Sequence, residues 1–123
     1  MRVEPYVYFQ GRCEEALEFY RGAIGAEATV VARFDGKVAH AELRVGDTVV
    51  LASDGQGDAR AEFNGFSLSL TAADDAEAER LFAALSDGGS VQVPMTSTPF
   101  ASRLGLVADK FGVPWMIVSQ TAP

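Results

Sequence analysis

Apolar positions along the chain follow two rhythms, and each rhythm occurs twice. Cys13, Ala16, Leu17 and Tyr20 stand at i, i+3, i+4 and i+7, the spacing of one face of a helix. Ala78, Leu81, Phe82 and Leu85 repeat that spacing 65 positions later. The first helix is predicted to begin near Gly11 and Arg12 and to stop at Gly22 or Gly25. The second is predicted to begin after Asp74 and Asp75, which suit an N-cap, and to stop at Gly88 and Gly89. Glu14, Glu15, Asp75 and Glu77 crowd the two N-termini, where a negative charge meets the positive end of the helix dipole.

Strand-like stretches surround both helices. Val3–Phe9 and Phe66–Thr71 precede them, and Ala28–Phe34 and Val91–Met95 follow. Val38–Val45 and Leu104–Ala108 come next, then Thr48–Ala52 and Pro114–Val118. Asp35-Gly36 and Gly46-Asp47 read as hairpin turns. The aperiodic, Gly- and Asp-rich Ser53–Glu62 stretch reads as the linker between two similar halves, about 1–54 and 63–123. The expected architecture is α+β: two βαβββ modules in a single domain, forming a curved, cup-shaped mixed sheet with the helices on its convex face.

Alternation assigns the faces of the strands. Ala39, Ala41, Leu43 and Val45 are expected under a helix, with His40, Glu42 and Arg44 opposite. Leu68 and Leu70 are expected to go to the helix, with Ser67 and Ser69 opposite. Trp115 and Ile117 are read as inward, with Met116 opposite.

Composition narrows the partners. The 123 residues are 48% hydrophobic and 22% charged, ordinary for a globular protein. No apolar run reaches the roughly 18–20 residues that cross a bilayer, and no leader-like segment opens the chain. The formal net charge of −7 opposes binding to phosphate backbones and to anionic lipid surfaces. Neither a nucleic acid nor a membrane is therefore an expected partner. The one cysteine, Cys13, forbids an internal disulfide and fits a reducing, cytoplasmic compartment.

The chain resembles a known family. Pro5-Tyr6 with Gly11, then Cys13-Glu-Glu-Ala-Leu-Glu-Phe-Tyr20, is similar to the PhnB-like branch of the vicinal oxygen chelate superfamily. So are His40-Ala-Glu-Leu-Arg-Val-Gly-Asp47, Ser53-Asp-Gly55 and Asp109-Lys-Phe-Gly-Val-Pro-Trp-Met116. The superfamily includes glyoxalase I, extradiol dioxygenases, fosfomycin-resistance enzymes and bleomycin-binding proteins. Its enzymes hold a divalent metal in the cup through two His or Glu ligands from each half. The resemblance places those positions at Pro5, Val50, Ser67 and Met116. None of these side chains is a His or a carboxylate, and such cations need N or O donors. No metal and no other cofactor is expected. Some members carry the label of a ubiquinone-pathway methyltransferase, but no glycine-rich loop for adenosylmethionine follows a strand here.

His40, the single histidine, shares a strand face with Glu42. Together they are the candidate catalytic pair, with His40 as acid/base or as a hydrogen-bonding anchor. Arg44 and Arg103 are candidate clamps for a carboxylate or phosphate. Thr96–Phe100 reads as a loop crossing the cup mouth, with Phe100 as an aromatic lid. Val7, Phe9, Ser67, Ser69 and Met116 complete the expected lining. Cys13, on the helix stripe, reads as a buried hydrophobe. The first functional expectation is a small molecule bound in the cup without a catalytic metal. The alternatives are a lyase, isomerase or dioxygenase-type enzyme using His40 and Glu42, and a protein that sequesters a cationic drug. Because open strand edges are commonly paired or covered, a homodimer is expected.

Overall fold

In the computed structural model, which describes residues 1–56 and 61–120, the chain divides into two compact units, Met1–Ala61 and Glu62–Pro123. Each unit runs strand, helix, strand, strand, strand. The first contains β1 (Tyr6–Tyr8), α1 (Cys13–Ile24), β2 (Glu27–Phe34), β3 (Lys37–Val45) and β4 (Thr48–Ser53). The second contains β5 (Leu68–Ala72), α2 (Asp75–Ser86), β6 (Ser90–Thr98), β7 (Ala101–Ala108) and β8 (Pro114–Ser119). The sheet orders are β1-β4-β3-β2 and β5-β8-β7-β6, so the same topology occurs twice. In each sheet the first strand pairs in parallel with the last, and the other pairings are antiparallel.

The two helices are started by different devices. Asp74 caps α2 by accepting the Glu77 N–H at 2.8 Å, and Glu77 reaches back to the Ala73 N–H at 3.0 Å. Arg12 precedes α1 and offers no side-chain cap. The cap comes instead from Asp54, buried beyond the end of β4. Its Oδ1 accepts the Cys13 N–H at 2.8 Å and its Oδ2 accepts the Val38 N–H at 2.7 Å. One carboxylate thus ties the first helix to the start of β3. In the second unit, buried Asp109 accepts from the backbone N–H groups of Phe111 and Val113 and from the indole N–H of Trp115.

In the first unit the core lies between the sheet and the Cys13, Ala16, Leu17 and Tyr20 stripe of α1. Ala78, Leu81 and Leu85 play that part on α2, while Phe82 is half-buried. Val107, Trp115 and Ile117 are buried on the second sheet. Gly105 is needed there, because an added Cβ would lie 2.7 Å from the Phe82 ring and 2.6 Å from Met95 Sδ.

Several expected boundaries shift. Ser53 belongs to β4 and Asp54 is buried, so the Ser53–Glu62 linker begins later than expected; its positions 57–60 lie outside the described residues. Thr96–Thr98 form part of β6 instead of a loop, and Pro99-Phe100 is a hairpin turn closed by Thr98 and Ala101. The reason is local: Thr98 Oγ1 accepts the N–H groups of Phe100 and Ala101, folding the chain back at once. Pro94 is tolerated inside β6 because that strand is an edge, and its register slips between Val93 and Thr96. On β3, slips around Ala32 and His40 interrupt the alternation. Val38 is therefore buried and Ala39 exposed, the reverse of the simple expectation, while Ala41 and Leu43 are buried as expected.

Candidate functional site

The face of the first sheet turned away from α1 is set by register. Tyr6 stands opposite Leu51, Leu51 opposite Glu42, and Glu42 opposite Thr29. Directly paired residues point to the same side of a sheet. The neighbouring row, Val7, Ala52 and Ala41, is buried toward the helix. Phe9 goes the same way, its ring 6.1 Å from that of Tyr20 on α1. Val7 and Phe9 thus belong to the core, and β1 gives the other face Tyr6 and Tyr8. The alternation Tyr-Val-Tyr-Phe held the signal, since tyrosine keeps a polar end that favours a wet surface while Val and Phe do not.

Tyr6 and Tyr8 stack with ring centroids 4.6 Å apart and planes 22° from parallel. The Tyr6 hydroxyl lies 3.0 Å from Nδ1 of half-buried His40, and the two rings are 5.6 Å apart. In the neutral imidazole this contact is made either by the hydroxyl donating to Nδ1, with the ring proton on Nε2, or by Nδ1–H donating to the hydroxyl oxygen. A cavity of about 700 Å³ adjoins this stack, lined by Tyr6, Tyr8, Phe34, Lys37, Val38, Ala39, Ser53, Gly55 and Gln56. Sequence reasoning missed Tyr6, Tyr8, Phe34 and Lys37 as lining residues.

The remaining expected site residues scatter. Glu42 shares the outward face with His40 but is exposed, and among the described residues its side chain makes neither a hydrogen bond nor an ion pair. Arg44 is exposed opposite Glu27, and among the described residues it makes no ion pair. In the second unit, Ser69 and Met116 stand opposite one another on the face away from α2, with exposed Ser67 just before β5. Arg103 does not join them. Its register partner is Ser119, and its Nε donates to Glu79 of α2 at 3.2 Å, so it serves the helix side. Phe100 is 67% exposed at the β6–β7 turn.

The donors do not fit a divalent metal. Pro5 has no side-chain donor, and Val50 is buried opposite Leu43. Ser67 and Met116 offer a hydroxyl and a thioether, a poor set for a hard or borderline cation. Among the described residues no three His, Cys, Asp or Glu side chains gather where they could hold an ion.

The pKa values of Cys13 and Glu14 on α1 are shifted, and so is that of Arg33, which Glu14 raises. Burial pushes the Cys13 thiol up to about 12, with Asp54 and Glu14 adding to the effect. The thiol is fully buried and is a packing group at neutral pH, not a nucleophile. Glu14 is held below the usual carboxylate range by its hydrogen bond and charge pairing with Arg33, at 3.0 Å.

Comparison with known proteins places this geometry. Protein YjdN of Escherichia coli K12 is 30% identical, over 95% of this chain and 94% of that one. The crystal structure of protein PA1353 from Pseudomonas aeruginosa is 36% identical, with a TM-score of 0.87 and 98% coverage of both chains. A PhnB protein from Bacillus cereus is 26% identical, with a TM-score of 0.86 over 97% of this chain and 99% of that one. A glyoxalase/bleomycin resistance protein/dioxygenase superfamily member from Sphaerobacter thermophilus shares the fold at 18% identity, with a TM-score of 0.64 over 97% and 98% of the two chains. The family model for 3-demethylubiquinone-9 3-methyltransferase matches residues 1–118. The chain therefore belongs to that PhnB-like family and has the fold of the glyoxalase/bleomycin resistance/dioxygenase superfamily.

Proposed function

We propose that the protein binds a small molecule on the Tyr6–Tyr8–His40 face of its first unit, without a catalytic metal. The observation that carries this reading is the cavity of about 700 Å³ beside the stacked tyrosines. Its size falls within the roughly 300–1,000 Å³ of ordinary ligand sites, and it combines aromatic walls with a few polar groups. Methyl transfer is not carried over from the family description. Each sheet here is mixed, with one parallel pair, whereas a dinucleotide-type site needs a parallel doubly wound sheet and a glycine-rich turn.

The reading includes a homodimer and a cytoplasmic location. Val31 leaves 55% of its surface exposed on the edge strand β2, which a second copy could cover. Buried, unpaired Cys13 suits a reducing compartment. No helix among the described residues is long and apolar enough to cross a membrane.

A fragment screen by ¹H–¹⁵N NMR in excess EDTA tests the reading. Shifts at Tyr6, Tyr8, Val38 and Ser53 are expected. Binding that needs an added divalent ion would overturn it.

A second reading is an enzyme that moves a proton through His40. It is favoured by the Tyr6 hydrogen bond, which fixes the ring and leaves Nε2 as the free nitrogen. A His40→Ala variant that still binds ligand but no longer turns over a substrate found by screening would select this reading. Full turnover in that variant would remove it. The sequestration of a cationic drug is disfavoured by the placement of Lys37 in the cavity wall.

A further inference from the structure

Resting on that reading, we infer that the cavity takes a planar aromatic molecule bearing an anionic group. The ring platform is already assembled. Tyr8 is half exposed while stacked on Tyr6, so aromatic surface is available to a third ring beside an already ordered pair. Phe34 adds an exposed aromatic side chain to the same lining.

The anion preference comes from Lys37. Phe34 and Lys37 are direct partners across the Asp35-Gly36 turn, whose two residues both have positive φ, 54° and 78°. That tight hairpin fixes the ammonium-bearing residue beside the aromatic one, on the same side of the strand pair. Among the described residues Lys37 makes no ion pair, so no described carboxylate neutralises it. Among the described residues the lining contains no Asp or Glu. Buried Asp54, next to Ser53, has its carboxylate turned to the N–H groups of Cys13 and Val38. Ser53 Oγ accepts the Gly55 N–H, which leaves its hydroxyl proton for an acceptor on the ligand. The net charge of −7 does not reverse this preference, because exposed charges beyond roughly 8 Å are screened at physiological salt.

Three probes with one ring system separate the possibilities: 2-naphthoate, 2-naphthamide and 2-naphthylmethylammonium, titrated by calorimetry and ¹H–¹⁵N NMR. The expected order is naphthoate tightest, by about tenfold over the amide, with the ammonium weakest and the shifts confined to the cavity residues. Lys37→Ala should bring naphthoate to the level of the amide and leave amide binding unchanged, and Lys37→Arg should restore the preference. Equal affinities, a preference for the ammonium, or an unaltered order in Lys37→Ala would overturn the ligand class. So would naphthoate shifts away from the cavity, or no binding of any probe. If fragments still bind the cavity in those cases, the small-molecule reading survives; if fragments also fail there, both fall.

Discussion

The Tyr6 hydroxyl sits 3.0 Å from His40 Nδ1, joining the shortest strand of the first unit to the only histidine in the chain. Tyr6 and His40 lie 34 positions apart, and they meet across β4, which pairs in parallel with β1 and antiparallel with β3. Removing the hydroxyl with Tyr6→Phe should free the imidazole to exchange tautomers and cost about 1 kcal/mol in stability. Long-range ¹H–¹⁵N spectra of the ring should show one neutral tautomer in the wild type and a mixture in the variant. Identical ring spectra would mean that the hydroxyl does not set the tautomer.

Asp54 carries the start of the first helix. Asp54→Ala strips the acceptor from two buried N–H groups, those of Cys13 and Val38. A loss of about 3 kcal/mol is expected, since bonds to a charged acceptor are the strong ones and both donors are left unpaired. Asp54→Asn should lose less, because its amide keeps one acceptor oxygen. Urea unfolding of the three proteins checks the order, and an alanine variant as stable as the wild type would refute the remote cap.

Alkaline pH should destabilise the fold through Cys13. Its thiol is raised from 9.0 to about 12 by burial, so folding favours the protonated form. The contribution is complete below pH 9, where both states keep the proton. It is lost between pH 9 and about 12, where the unfolded chain alone releases it. Relative to Cys13→Ala, wild-type stability should fall by up to ~1.4 kcal/mol per pH unit in that window. Denaturant titrations in both backgrounds measure this, and parallel pH curves would contradict it.

Gly105 packs against Phe82 of α2 and Met95 of β6 with no room for a side chain. A methyl group there would meet the Phe82 ring at 2.7 Å, so Gly105→Ala should cost roughly 1–3 kcal/mol. Combining it with Phe82→Leu should recover part of that loss. Thermal unfolding of the single and double variants decides whether the ring is the obstacle.

The halves and their helices were legible because the signal is local: a stripe such as Ala78, Leu81 and Leu85 declares a helix within three turns. The site was less legible because strand parity names two faces without saying which one meets a helix. In Tyr6-Val7-Tyr8-Phe9 the tyrosines carry the only hint of which face is wet, and the Phe9 contact with Tyr20 fixes it. Arg103 was misplaced for a related reason: its partner, Glu79, lies on a helix 24 positions earlier, and no strand pattern encodes that contact. Ala39 fell on the wrong face because a slip in register leaves no mark in an alternating sequence.

The strand order of the first unit also bears on how the cavity wall comes into being. β1 spans three residues and has one neighbour, β4, more than forty positions further along the chain. It cannot dock before that neighbour is in place, so it is a late arrival during folding and a natural first element to detach from the native state. The aromatic platform therefore rides on the most loosely anchored strand of its sheet, and an occupant gripping Tyr6 and Tyr8 would act as a clasp that slows the departure of β1.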